Sequence, residues 1–90
     1  MLDESEVKAR LEREAIPNVD HFLVSVEPDH TGADAAFIRI VMPDYIAALD
    51  DFLPYTRPIR DRIFDLFIQE FPGYWPYMSF QSVSETAALK

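Results

Sequence analysis

Seven prolines, at positions 17, 28, 43, 54, 58, 72 and 76, are spread along ninety residues and do most to limit what this chain can fold into. Proline has a fixed φ and no N–H, so it is confined to element ends, first helical turns and sheet edges. Each proline therefore reads as a boundary, and the segments between them as single short elements. The charged first segment predicts a helix. Asp3 is placed to cap it, Glu6 stands at capping-box spacing, and Leu2 with Val7 can form a hydrophobic staple. Val7 and Leu11 recur on one face, with Glu4–Lys8, Glu6–Arg10 and Arg10–Glu14 spaced for pairing on the other. Pro17 predicts an end near residues 14–16.

Residues 19–27 alternate as a strand, with Phe22, Val24 and Val26 on one face. Pro28-Asp29-His30-Thr31-Gly32 is a turn cluster. Residues 35–42 then give a second strand with Ile38, Ile40 and Met42 on its stronger face, so the two should form an antiparallel hairpin. After Pro43, Asp44 is expected to cap a short helix carrying Ile46, Leu49 and Phe52 or Leu53. Pro58 suits the first turn of a further helix with an apolar stripe of Ile59, Ile63, Leu66 and Phe67. Residues 44–72 fit either one kinked helix or two. Pro72-Gly73 ends the helical stretch, residues 75–83 read as a third strand, and residues 84–89 as one terminal helical turn or a frayed end.

The expected fold is α+β, a single domain over residues 1–90 with element order α-β-β-α-(α)-β. Its sheet is three-stranded, antiparallel or mixed, with the helices packed on one face. Phe22, Val24, Val26, Ile38, Ile40, Ile63 and Phe67 should form the core.

Within that order, Phe37-Ile38-Arg39-Ile40-Val41 stands as a second strand, Arg57-Pro58-Ile59-Arg60 as a helix opening, and Tyr77-Met78-Ser79-Phe80-Gln81 as a last strand. The arrangement resembles BolA-like proteins and the type II KH class that shares their fold, over roughly residues 3–85. The resemblance implies the topology. The functions of those families do not follow from it. Pro58 stands where a BolA-like chain has the helix-opening histidine, and the last strand has no histidine, so the histidine ligands that tie BolA-like proteins to glutaredoxin-held iron–sulfur clusters are missing. With glycine only at 32 and 73, no Gly-x-x-Gly loop exists to clamp a nucleic-acid backbone.

The chain has no cysteine, which removes disulfides, thiolate metal sites and thiol nucleophiles. The net charge of −8 argues against nucleic acid as a partner. An acidic start without an apolar stretch and the lack of a long apolar run argue against a leader or a membrane partner, and a cytoplasmic location is expected.

Few residues are candidates for chemistry. Asp29, His30 and Asp34 share a loop, but turn formation accounts for them without a metal. His21 has no evident nucleophile beside it, and Asp61 with Asp65 reads as a charged helix surface. No enzyme and no cofactor are expected. Arg57, Arg60 and Arg62, at the expected start of the third helix, are the one basic cluster and a candidate anion or acidic-partner site.

Seven of the twelve aromatic residues fall between Phe64 and Phe80. Tyr74, Trp75 and Tyr77 cannot all be buried by a turn and a strand start. If Phe22 and Ile40 point at the helices, Leu23, Phe37 and Val41 point away and leave a half-apolar outer sheet face. Leu23, Phe37, Val41, Tyr74, Trp75 and Tyr77 are thus the expected protein interface. The leading expectation is a non-enzymatic interaction module, a homodimer or a small subunit of a larger assembly. The alternative is an anion-binding regulatory domain using Arg57, Arg60 and Arg62.

Overall fold

The computed structural model describes residues 2–88. Helix α1 (Glu4–Arg13) leads into the hairpin of β1 (His21–Pro28) and β2 (Asp34–Met42). Two helices, α2 (Asp44–Ala47) and α3 (Leu53–Glu70), carry the chain to β3 (Pro76–Ser82), and α4 (Val83–Ala88) follows directly. The sheet is mixed, in the order β1-β2-β3: β1 is antiparallel to β2, and β3 is parallel to it. Parallel pairing of β2 with β3 demands a long crossover, and residues 43–75 supply it. Among these residues no helix is long and apolar enough to cross a membrane.

Local chemistry explains the element ends. The Asp3 carboxylate accepts from the Ser5 amide at 2.9 Å, and Leu2 and Val7 are both buried as the staple requires. The hairpin turn is set by Asp29, which accepts from the Thr31 amide at 2.8 Å. Gly32 takes φ +86°, a conformation open to glycine without penalty, and its amide donates to the Asp29 carbonyl.

The third helix differs from expectation. It begins at Leu53, so Pro54 occupies its first turn and Pro58 lies inside it. Asp51 accepts from the Leu53 amide at 3.1 Å and so satisfies one of the free donors at the helix start. Pro58 removes only the bond that would have run to Pro54, and the helix continues. The preceding helix is shorter than expected: Ile46 is buried, whereas Leu49 and Phe52 stand exposed beyond its end.

Phe22 pairs with Ile40, Val24 with Ile38 and Val26 with Ala36, which puts all six on the face that α1 and α3 cover. Val7, Leu11, Ile59, Ile63, Leu66 and Phe67 close the core from the helix side, with Val24 and Val26 half-buried at its margin. Arg10 bonds Glu14 at 3.3 Å and Glu70 at 2.9 Å, and Arg62 reaches Glu14 at 3.2 Å. These pairs tie α1 to α3 across the outside of the helix layer.

The chain's end adds a feature absent from the expected outline. Ser82 and Glu85 form a reciprocal capping box: the Glu85 amide donates to Ser82 Oγ at 3.0 Å, and the Ser82 amide to Glu85 Oε1 at 3.2 Å. The Asp44 carboxylate accepts from the Ser84 amide and hydroxyl and so ties α4 to the start of α2. Of the expected terminal turn, Leu89 lies outside the described residues.

Candidate functional site

The face of the sheet turned away from α1 and α3 carries Leu23 and Ser25 on β1, Phe37, Arg39 and Val41 on β2, and Tyr77, Ser79 and Gln81 on β3. Strand alternation fixes this set. Phe37 lies beside Tyr77, and their rings stack at 5.0 Å between centroids and 11° between planes. The Tyr77 hydroxyl donates to Asp29 Oδ2 at 3.1 Å, which pins the stack to the hairpin turn. Partial burial raises the Tyr77 pKa, and the bond to Asp29 and the charge of that carboxylate raise it further. The Asp29 pKa is lowered, first by the Thr31 hydroxyl and amide, then by Tyr77 and the nearby His30.

Leu23 and Ser79 flank Arg39, which is exposed at the middle of the face and makes no ion pair or side-chain hydrogen bond among the described residues. A half-buried aromatic pair beside a leucine and an unpaired arginine gives flat apolar area with one directional donor. Such a surface matches the composition of protein interfaces, where tyrosine, phenylalanine and arginine are enriched.

Three residues expected on this surface do not contribute exposed area to it. Val41 points to the outer face but is 0% exposed. Helix α4 turns back over this end of the sheet, touching both β2 and β3. The Thr86 hydroxyl bonds Gln81 Oε1 at 3.1 Å, and Gln81 is the register neighbour of Val41. Tyr74 packs against the core from the helix side. Trp75 meets Phe64 of α3 edge-on at 5.4 Å, so it too belongs to the helix side, where it remains 56% exposed. Leu23, Phe37 and Tyr77 stay together on the open face.

The arginine cluster is divided by its helix. Arg57 and Arg60 line a shallow depression with Leu53 and Phe64. Arg62 lies on another side of α3, where it lines a separate groove with Ile16 and Tyr55 and donates to the carboxylate and backbone carbonyl of Glu14 at 3.2 Å each. The free amides of the helix start lie back at Leu53, ahead of all three arginines, so the dipole argument for an anion at this cluster no longer applies.

His21 and Glu27 have local partners. His21 Nδ1 is 2.7 Å from Asp20 Oδ2 on the surface, and the Ser25 hydroxyl donates to Glu27 at 3.0 Å. Among the described residues, no three histidine, cysteine, aspartate or glutamate side chains are grouped to hold a metal ion. The Ser82-x-x-Glu85 pattern is a local signal for α4, whereas the burial of Val41 has no local signal. No family model, curated protein or solved structure matches the chain.

Proposed function

We propose that this chain is a non-enzymatic protein-interaction module, acting as a homodimer or as a small subunit of a larger assembly. Its contact surface is the open sheet face around Phe37, Tyr77, Leu23 and Arg39. The observation that carries this reading is the stacked Phe37–Tyr77 pair, held rigid by the bond to Asp29 on a face that α1 and α3 leave uncovered. An antiparallel or mixed sheet wetted on one side ordinarily presents polar side chains there. Rigid aromatic area held in place before binding loses little conformational entropy when a partner covers it.

Association stabilises the folded state by mass action, so the melting temperature of a self-associating chain rises with its concentration. The wild type should show that rise, and Phe37→Asp should reduce or abolish it. The comparison is internal to each variant, so a loss of intrinsic stability in Phe37→Asp does not confuse it. A wild-type melting temperature independent of concentration would contradict self-association.

A further inference from the structure

Resting on that reading, and adding the identity of the partner and the register of contact, we infer that β3 pairs antiparallel with β3 of a second copy about a two-fold axis at Ser79. β3 has a neighbour on one side only. The Ala36 amide donates to the Trp75 carbonyl at 3.2 Å, which sets the phase of the strand. Trp75, Tyr77, Ser79 and Gln81 turn their backbone groups toward β2, while Met78 and Phe80 turn theirs to the open side. The ends of this edge are already closed. Pro76 has no N–H to offer, and the outward amide of Ser82 is taken by Glu85. Met78 and Phe80 therefore hold the complete donor–acceptor sets left on the edge. One register satisfies all of them: Met78 opposite the partner's Phe80, and Phe80 opposite the partner's Met78. Each pair exchanges two hydrogen bonds, and Ser79 faces its own mate.

Charge and shape favour a copy of this chain as the occupant. The strand Pro76–Ser82 bears no charged side chain, in a protein of net charge −8. Edge strands that avoid pairing usually carry charges. The opposite edge, β1, follows directly on the charged Asp20 and carries Glu27 next to its last residue. Trp75 (56% exposed) and Val83 (37% exposed) stand equally far along the chain on either side of Ser79. They flank the strand at its two ends, so the two-fold brings the Trp75 end of each copy to the Val83 end of its partner, the self-complementarity that an isologous contact requires. On α3 beside this edge, Phe64 meets Trp75, and Ile68, one helical turn on, is 72% exposed. Edge pairing brings this stripe toward its counterpart and joins the two open faces into one six-stranded surface.

The absence of native cysteine allows a direct test. At a non-hydrogen-bonded antiparallel pair the facing Cα atoms lie about 4.5 Å apart, within the disulfide range of roughly 4.4–6.8 Å. Ser79 is exposed, so Ser79→Cys should fold normally and form a disulfide-linked dimer quickly under mild oxidation. Arg39→Cys, exposed on the same face but on β2, is the control. Its mate across the proposed dimer is three strand spacings away, about 14 Å. Ser79→Lys, which opposes two like charges at the axis, should return the mass to that of a monomer. Preferential cross-linking through position 79 together with that loss of mass is the expected result. A wild-type dimer in which Ser79→Cys links no faster than Arg39→Cys would overturn the edge register and leave the interaction module standing on its open face. A monomeric wild type with no preference for position 79 would overturn the pairing altogether.

Discussion

Val41 and Leu23 share one sheet face, yet the structure assigns them opposite energetic roles. Val41→Ala removes two methyl groups from a site with no solvent exposure. At about 0.8 kcal/mol per buried carbon, the transfer loss is ~1.6 kcal/mol. The site is closed by β2's neighbours on two sides and by α4 above, so a cavity remains and raises the cost to about 2–3 kcal/mol. Leu23→Ala deletes one carbon more, but Leu23 is only half-buried and its space opens to solvent, so the loss is about 1 kcal/mol with no cavity. The smaller side chain should therefore be the more costly to trim. Urea denaturation with linear extrapolation measures both changes. A domain of this size has a stability on the order of 5–10 kcal/mol, so both variants stay folded enough to analyse. A double-mutant cycle with Thr86→Ala, which frees α4 from Gln81, should show coupling to Val41 and none to Leu23. If Leu23→Ala costs as much as Val41→Ala, or the cycle shows no coupling, then α4 does not cover the sheet as argued.

Two further predictions concern protonation. The Ser84 hydroxyl and amide, with a smaller contribution from Ser82, lower the Asp44 pKa. Its contribution to stability is therefore present above the ordinary carboxylate range of about 4 and is lost as pH falls through the depressed folded value. Asp44→Ala should melt at a lower temperature than wild type near neutral pH, with the gap closing in acid; a gap that does not change with pH would refute the clasp. Tyr77 has a raised pKa, so its contribution is complete below about 10 and fades as pH rises through the folded value. An alkaline titration followed by tyrosinate absorbance should show a late component that Tyr77→Phe removes. Asp29→Asn should reduce that component only in part, because burial is the larger cause; a late component that persists in Tyr77→Phe would show that it belongs to another residue.

Periodicity and proline placement made most of the fold legible. Phe22, Ile38 and Ile40 alternate in phase, the turn cluster at Pro28–Gly32 joins two strands by a short loop, and α3 carries Ile59, Ile63 and Phe67 at helical spacing. Strand partners were less legible, because alternation gives the face of each residue and not the neighbour across the sheet; hence the parallel entry of β3 was one of two open arrangements. Pro58 marks the expected start of α3 and Pro54 a break before it, whereas the helix begins at Leu53. Pro54 also suits a first turn, and Asp51, which accepts from the Leu53 amide, follows Asp50 with nothing local to single it out.

The candidate surface divides along the same line. Leu23, Phe37 and Tyr77 face outward as alternation requires. Val41 obeys that alternation and is nevertheless buried, because its cover comes from the far end of the chain. The capping box that builds α4 is local and readable; the packing of α4 over β2 is not local. Trp75 has the phase of an outward residue, but it precedes the strand, where the pleat does not hold it, and Phe64 draws it to the helix side. The arginines are close in sequence and apart in space, because Arg60 and Arg62 fall on different sides of α3.

The proposed pairing of β3 with β3 of a second copy requires the unmodified chain to self-associate. Static light scattering on the unmodified chain, across the micromolar range, tests it most directly. The mass should move from 10.4 kDa toward twice that value as concentration rises, with Ser79→Lys held at the monomer mass. A wild-type mass fixed at 10.4 kDa at every concentration would contradict it.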